Sequence, residues 1–196
     1  MSRIMPAAIA ALMLAGCAKQ PLPEYVTSRD TLTYLHRSQY GSVAIEPFKT
    51  RRVDSYWFSN CDVVEGARKA RTKANPETYG RYIRGALARE LAIAGKYSEE
   101  NPATTITGTV EHLSVSRLPP YRGFWNIQLA LHAPNKATVR KRVKFEFDAD
   151  GLIGPSACRS AIAAFAPAVQ KLVSDIVTSP EFAAMARAPR ETGAIG

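Results

Sequence analysis

Four segments of the chain alternate apolar and polar residues with a period of two, which is typical of strands whose two faces lie in different surroundings. They are 42–48, 104–117, 124–133 and 138–148. The alternation is cleanest in the third segment, at Trp125, Ile127 and Leu129. In the second segment it slips near Glu111 and His112, which predicts either a β-bulge or two short strands.

Two longer segments repeat apolar residues at the spacing of an amphipathic helix. In the first, 76–94, Asn75 suits the N-cap and Gly95 suits the position after the last turn, although Glu90 interrupts the apolar stripe. In the second, 154–177, Pro167 predicts a kink. The order strand, helix, three strands, helix predicts an α/β (α+β) fold. Its single, mostly antiparallel four-stranded sheet would carry both helices on one face.

The first residues have the pattern of an export signal. Arg3 precedes an apolar run of roughly a dozen residues, which is too short to span a bilayer because that takes about 20. The run ends in Leu14-Ala15-Gly16-Cys17, which resembles the lipobox of bacterial lipoprotein precursors. We expect residues 1–16 to be removed and Cys17 to carry acyl chains such as palmitate. The alternative is an ordinary signal peptide with a chance cysteine.

The lipobox also bears on location and domain boundaries. Ala18 stands where lipoproteins of the inner membrane usually have aspartate, so we expect the periplasmic face of the outer membrane. Residues 17–41 contain two early prolines and no periodicity, which predicts a flexible tether. Residues 42–186 are predicted to form one periplasmic domain and 187–196 a disordered tail. Inside the domain, residues 49–74 are predicted to be a long polar connection.

Two further cysteines remain, Cys61 and Cys158. The periplasm is oxidising, so an even number of cysteines there predicts a disulfide bond between them. The alternative is two buried free thiols. No histidine lies near either cysteine in the sequence, which argues against a metal site.

The chain is basic, with a formal net charge of +9. An exported protein does not meet chromosomal DNA, so nucleic acid is excluded as a partner. The available anions are lipid headgroups, lipopolysaccharide phosphates, cell-wall carboxylates and acidic proteins. The alternative is a basic surface that is only solvated.

The element order, together with the lipobox, resembles a broad group of small Gram-negative outer-membrane lipoproteins. The group includes the YajG-like and the transport-auxiliary lipoproteins, whose fold is similar to the amino-terminal domain of TolB. The residues that carry the resemblance are 42–48, 91–95 and 161–182. It covers about residues 40–185 and implies no catalytic residues, because these lipoproteins are not known as enzymes. The long connection and the Cys61–Cys158 pair are not part of the group's pattern.

The sequence offers little for catalysis. It has no Gly-x-Ser-x-Gly, His-Glu-x-x-His or Walker motif. His112 and His132 lie in neighbouring predicted strands, and with Glu111 they could form a metal site or an acid–base pair. The alternative is that they are plain residues of a solvated strand face. We expect no enzyme activity, no cofactor and no metal.

Three groups of residues are candidates for binding: an aromatic cluster in the long connection, a proline-stiffened turn, and a row of cations along one strand. Their members are Tyr56, Trp57 and Phe58, then Tyr121 and Arg122, then Arg140, Arg142 and Lys144. Aromatic and arginine side chains are enriched at interface hot spots, and evenly spaced cations suit phosphates. The alternatives are a packed lid, a stiff hairpin and a solvated sheet face.

Together these features predict a non-enzymatic envelope lipoprotein, held at the membrane by its N-terminal lipid. The expected role is an accessory or assembly subunit of an envelope transport or biogenesis system, with an envelope protein as partner. The alternative is a stand-alone module that binds lipid, lipopolysaccharide or cell wall.

Overall fold

The computed structural model describes residues 20–53, 63–64, 76–118, 122–150 and 155–187. The strands in these ranges are β1 (Gln20–Pro21), β2 (Val43–Ile45), β3 (Lys49–Thr50), β4 (Val63–Val64), β5 (Thr104–Leu118), β6 (Arg122–His132) and β7 (Thr138–Asp148). The helices are α1 (Arg29–Arg37), α2 (Pro76–Ile93), α3 (Pro155–Val177) and α4 (Pro180–Ala186). The broad α+β class is confirmed.

The main sheet, within the described ranges, has five strands. Its order is β2-β5-β6-β7, and β3 also pairs with β5. The strands β2 and β3 run parallel to β5, whereas β5, β6 and β7 form an antiparallel meander. The prediction of four strands and two helices is therefore wrong in both counts and in element order. The added strand β3 lies in the predicted connection. It could not be predicted from the sequence, because its two residues are too few to show a period.

The strand β5 contains the predicted bulge. Val110 pairs with Leu129 and His112 pairs with Gln128, so Glu111 is the extra residue. Before the bulge the buried side chains are at even positions, and after it they are at odd positions. The bulge thus keeps both halves of β5 facing the core, and of the two predicted alternatives the bulge within one strand is the one observed.

The helices α2 and α3 meet the sheet around one tryptophan. Trp125 is fully buried, and its indole Nε1 donates a hydrogen bond to the carbonyl oxygen of Ala161 at 2.8 Å. Its ring lies 4.8 Å from that of Phe165 in α3 and 6.1 Å from that of Tyr79 in α2, measured between centroids. The predicted inward position of Trp125 is confirmed. Gly95 ends α2 with a φ of 68°, as its sequence position predicts.

The helix α3 is the most apolar element in the described chain. Its segment Ser156–Val177 is long and apolar enough to cross a membrane, by length and composition alone. Core helices of soluble domains pass the same test, and here Phe165, Leu172 and Ile176 are fully buried against the sheet and α2. The chain continues as helix through Pro167. The apolar stripe of α3 therefore belongs to the domain core.

The N-terminal segment packs on the domain, and the predicted tether is wrong for this part of the chain. Ser28 caps α1, and Leu35 on its inner face is fully buried. The Glu90 carboxylate in α2, also fully buried, accepts hydrogen bonds at 2.8 Å from the Tyr25 hydroxyl and from the Ser28 backbone N–H. Glu90, which interrupts the apolar stripe of α2, therefore binds the residues that lead into α1.

The chain after α3 also packs on the core. Ser179 caps α4, which buries Phe182 and Met185. The ring of Tyr40 lies 5.6 Å from that of Phe182, and the Tyr40 hydroxyl donates to the carbonyl oxygen of Val177 at 2.8 Å. The N- and C-terminal ends of the described domain are thus joined to each other. Of the predicted tail, 187–196, Arg187 is the C-cap residue of α4, and residues 188–196 lie outside the described residues.

Candidate binding face

The candidate site lies on the face of the main sheet opposite the helices. Directly paired residues of neighbouring strands point to the same face, so the register builds this face in rows. One row is His112, Gln128 and Arg142; the next is Ser114, Asn126 and Lys144. Arg142 and Lys144 thus lie on one exposed face, as the period of two predicts.

Glu111 lies at the bulge and accepts hydrogen bonds from two neighbouring strands. Gln128 Nε2 donates to its carboxylate at 2.6 Å, and Arg140 donates from Nε and Nη2 at 3.1 and 3.2 Å. Partial desolvation alone would raise the pKa of Glu111, but these hydrogen bonds and the charges of Arg140 and Arg51 hold that pKa below its usual value. Arg140 is therefore neutralised within the domain.

Arg142 and Lys144 contact only neutral groups among the residues that the structure describes. Arg142 donates to the side-chain oxygen of Gln128 from Nη2 at 2.6 Å and from Nε at 3.2 Å. The Lys144 ammonium lies 4.2 Å from the centroid of the Phe124 ring, in a cation–π contact. Both side chains are thus oriented by neutral partners, and both are exposed to solvent.

Two further arginines join this face from the chain after β3. Arg51 and Arg52 are exposed, and their backbones bond to β5: the Arg51 N–H donates to Val110, and the Leu113 N–H donates to Arg52. They border an open hollow of about 440 Å³. Its described lining is Arg51, Arg52, Glu111, His112, Asn126, Gln128 and Arg142. We call this set the basic hollow; it contains three arginines and a single carboxylate that Arg140 already pairs.

Sequence reasoning missed the part of the basic hollow that β3 and the bulge supply. Arg51 and Arg52 lie on this face because residues 49–53 pair with β5 in the parallel direction. No local sequence pattern predicts that pairing. Glu111 joins it as the extra residue of the bulge. The slip in alternation near Glu111 was the available signal that it lies on this face of the sheet.

The other predicted binding residues have different outcomes. Arg122 lies at the start of β6 and forms an ion pair with Glu146 at 2.7 Å, so its charge is compensated. Tyr56, Trp57, Phe58 and Tyr121 lie outside the described residues, as do Cys17 and Cys61. Cys158, in α3, is disulfide-bonded. Its pairing with Cys61 stays a prediction.

The two strand histidines do not form a pair. His112 lies in the row of Gln128, whereas His132 lies four residues further along β6, about 13 Å away at the usual rise per residue. A ring nitrogen of His112 lies 2.9 Å from the Ser114 hydroxyl, and one of His132 lies 3.2 Å from the Thr138 hydroxyl. The described ranges contain no group of three or more side chains placed to hold a metal ion.

Comparison with known proteins supports the fold. A Xanthomonas campestris protein of family DUF330 matches with a TM-score of 0.56 and 8% sequence identity, over 85% of this chain and 96% of its own. A Caulobacter crescentus protein provisionally described as a lipoprotein matches with a TM-score of 0.37 and 12% identity, over 75% and 89%. No family model and no curated protein matches the sequence. The Xanthomonas protein therefore shares the fold, which at this identity is all that the likeness shows.

Proposed function

We propose that this chain is a lipid-anchored lipoprotein on the periplasmic face of the outer membrane. In this proposal it acts as a non-enzymatic accessory or assembly subunit of an envelope transport or biogenesis system, and its basic hollow binds an acidic segment of the partner protein. The observation that carries the proposal is an excess of positive charge: the hollow has three arginines, Arg51, Arg52 and Arg142, and its one carboxylate, Glu111, is already hydrogen-bonded to Arg140.

The geometry of Arg142 supports binding of carboxylates. Its Nε and Nη2 rest on the Gln128 side chain, which fixes the plane of the guanidinium. A guanidinium has five N–H donors, so an arginine held in this way still has donors for a ligand. Less side-chain entropy is lost on binding when the donor is already fixed.

The position of the first strand supports a domain held near the membrane. The strand β1 begins at Gln20, three residues after Cys17. Three residues span at most about 10 Å. A lipid on Cys17 would therefore hold the domain close to the headgroups, with no long tether between them.

In-cell photo-crosslinking of the full-length protein tests this proposal. A photoreactive residue replaces Asn126, which lines the basic hollow. We expect a discrete protein adduct, and we expect Arg51→Glu with Arg52→Glu to weaken it about tenfold or more, which corresponds to about 1.4 kcal/mol. Cys17→Ser should release the protein from the membrane fraction.

A matched control changes charge elsewhere. Lys171→Glu alters an exposed lysine of α3, away from the sheet face, and should leave the adduct unchanged. An adduct that contains lipid or lipopolysaccharide would favour the stand-alone binding module. If a correctly folded protein gives no adduct at this site, the basic hollow is not the docking surface.

A further inference from the structure

One long edge of the main sheet is unpaired in the described chain. The strand β7 has 11 residues and pairs with β6 on one side, and no described strand pairs with its other side. Unpaired backbone N–H and C=O groups along such an edge can accept another strand. The question is therefore which strand fits this edge.

The exposed side chains of β7 change sign at the middle of residues 142–148. Arg142 and Lys144 precede Phe145, and Glu146 and Asp148 follow it, all four on the same exposed face. When two copies of this segment are aligned antiparallel about Phe145, Arg142 lies opposite Asp148 and Lys144 lies opposite Glu146. Opposite charges in directly paired positions are favourable in a sheet, and like charges are unfavourable.

The alignment about Phe145 places each of these four charges opposite one of the other sign. Glu146 would then contact Lys144 of the second copy as well as Arg122 of its own copy. Moving it by one pair toward residue 144 would place Lys144 opposite itself, and moving it the other way would place Glu146 opposite itself. The pattern thus selects one register as well as one orientation, which is the self-complementarity that a two-fold interface requires.

The other face of the segment is apolar in the same alignment. Phe145 would lie opposite its own copy, and Val143 opposite Phe147. Phe145 and Phe147 pack against the core but are only partly buried, unlike Val143. A second strand at this edge would cover the remaining apolar surface of both rings.

We propose that two copies of this protein pair through β7, antiparallel and centred on Phe145, and so join their sheets into one. This inference goes beyond the proposed function and does not depend on it. Arg142 belongs both to this segment and to the basic hollow, so the tests below change other residues.

A cysteine at the symmetry centre tests the alignment in the full-length, membrane-anchored protein. Directly opposed residues of an antiparallel pair have Cα atoms about 4.5–5.5 Å apart, which is within the range that a disulfide bridges. Phe145→Cys should therefore give a reducible dimer in the oxidising periplasm. Arg140→Cys is the matched control, because the two copies of residue 140 would be about 34 Å apart along the strands. No dimer from folded Phe145→Cys, or an equal yield from Arg140→Cys, would overturn the proposal.

A charge exchange gives a second test that keeps Phe145. Lys144→Glu alone and Glu146→Lys alone each place like charges opposite each other, so each should reduce the dimer fraction of the detergent-extracted protein in light scattering. The double variant restores both pairs and should restore the dimer. Three equal dimer fractions, with melting temperatures unchanged, would show that β7 is not the interface. The crosslinked adduct at Asn126 is measured in the same variants, so loss of docking is distinguished from loss of the dimer.

Discussion

At the residue scale, Glu90 shows how one polar side chain fixes the position of a whole segment. One of its carboxylate oxygens accepts both bonds from the N-terminal segment, and within the described chain the other has no hydrogen-bond partner. A buried carboxylate is costly unless its hydrogen bonds are made. Glu90 is therefore better explained by the order it imposes on residues 25–28 than by any gain in core stability.

Two glycines give a matched test of packing. A Cβ on Gly108, in β5, would lie 2.3 Å from ring carbons of the buried Phe48, so Gly108→Ala should cost about 1–3 kcal/mol. A Cβ on Gly85, on the exposed side of α2, would meet no atom within 4 Å, so Gly85→Ala should stabilise by about 0.5–1 kcal/mol. Urea denaturation measures both. Equal stabilities for the two variants would mean that Phe48 does not cover Gly108.

At the scale of elements, α1 is the clearest departure from the expected fold. Leu35 is fully buried, whereas Leu32 is only partly buried. Leu35→Ala should therefore lower the free energy of unfolding by about 2–5 kcal/mol, and Leu32→Ala by clearly less. Thermal unfolding followed by circular dichroism measures the difference. A flexible tether would instead leave both variants as stable as the original protein.

The elements that could be predicted are the long ones: helices of several turns, and strands in which the alternation of buried and exposed residues repeats several times. The helices α2 and α3 and the strands β5, β6 and β7 bury many side chains at fixed spacing, and the sequence shows that spacing. The helix α1 buries only Thr31 and Leu35, which is too few to define a period. Its N-cap Ser28 and the acidic Asp30 in the first turn were the signals that sequence reasoning left unused.

The candidate site divides in the same way. Arg142 and Lys144 could be predicted because alternation along a single strand decides which face a residue occupies. The contact between Arg140 and Glu111 could not, because it depends on the register of three strands around the bulge. The contribution of Arg51 and Arg52 depends on where β3 pairs, which is a property of the whole sheet.

At the scale of the whole molecule, buried tyrosines make the fold sensitive to alkali. Burial raises the pKa of Tyr25, Tyr40, Tyr79 and Tyr82, and for Tyr82 the pKa reaches about 12. Because the folded state favours the neutral phenols, their contribution is complete below their ordinary pKa of about 10 and is lost as pH rises through the raised values. We expect stability to hold up to about pH 10 and to fall steeply above it.

Tyrosinate absorbance and far-ultraviolet circular dichroism, recorded together during alkaline titration, measure this loss. The buried tyrosines should ionise in the same cooperative step in which the secondary structure disappears. Ionisation of all eight tyrosines near their ordinary pKa, with the secondary structure intact, would contradict the burial of Tyr25, Tyr40 and Tyr79 and the partial burial of Tyr82.

The N-terminal segment also determines how the molecule would respond to force. If Cys17 carries the proposed lipid and that lipid is pulled, the load passes first to the two-residue pair of β1 with β4, then to the Tyr82–Pro23 hydrogen bond, and then to the Tyr25–Glu90 hydrogen bond. These contacts are in series and can open one after another. Peeling residues 20–41 would release about 70 Å of extended chain while the pairing of β5, β6 and β7 stays outside the load path. The segment would then act as an extensible link between membrane and domain. Without force it stays packed on the domain, and under force it extends.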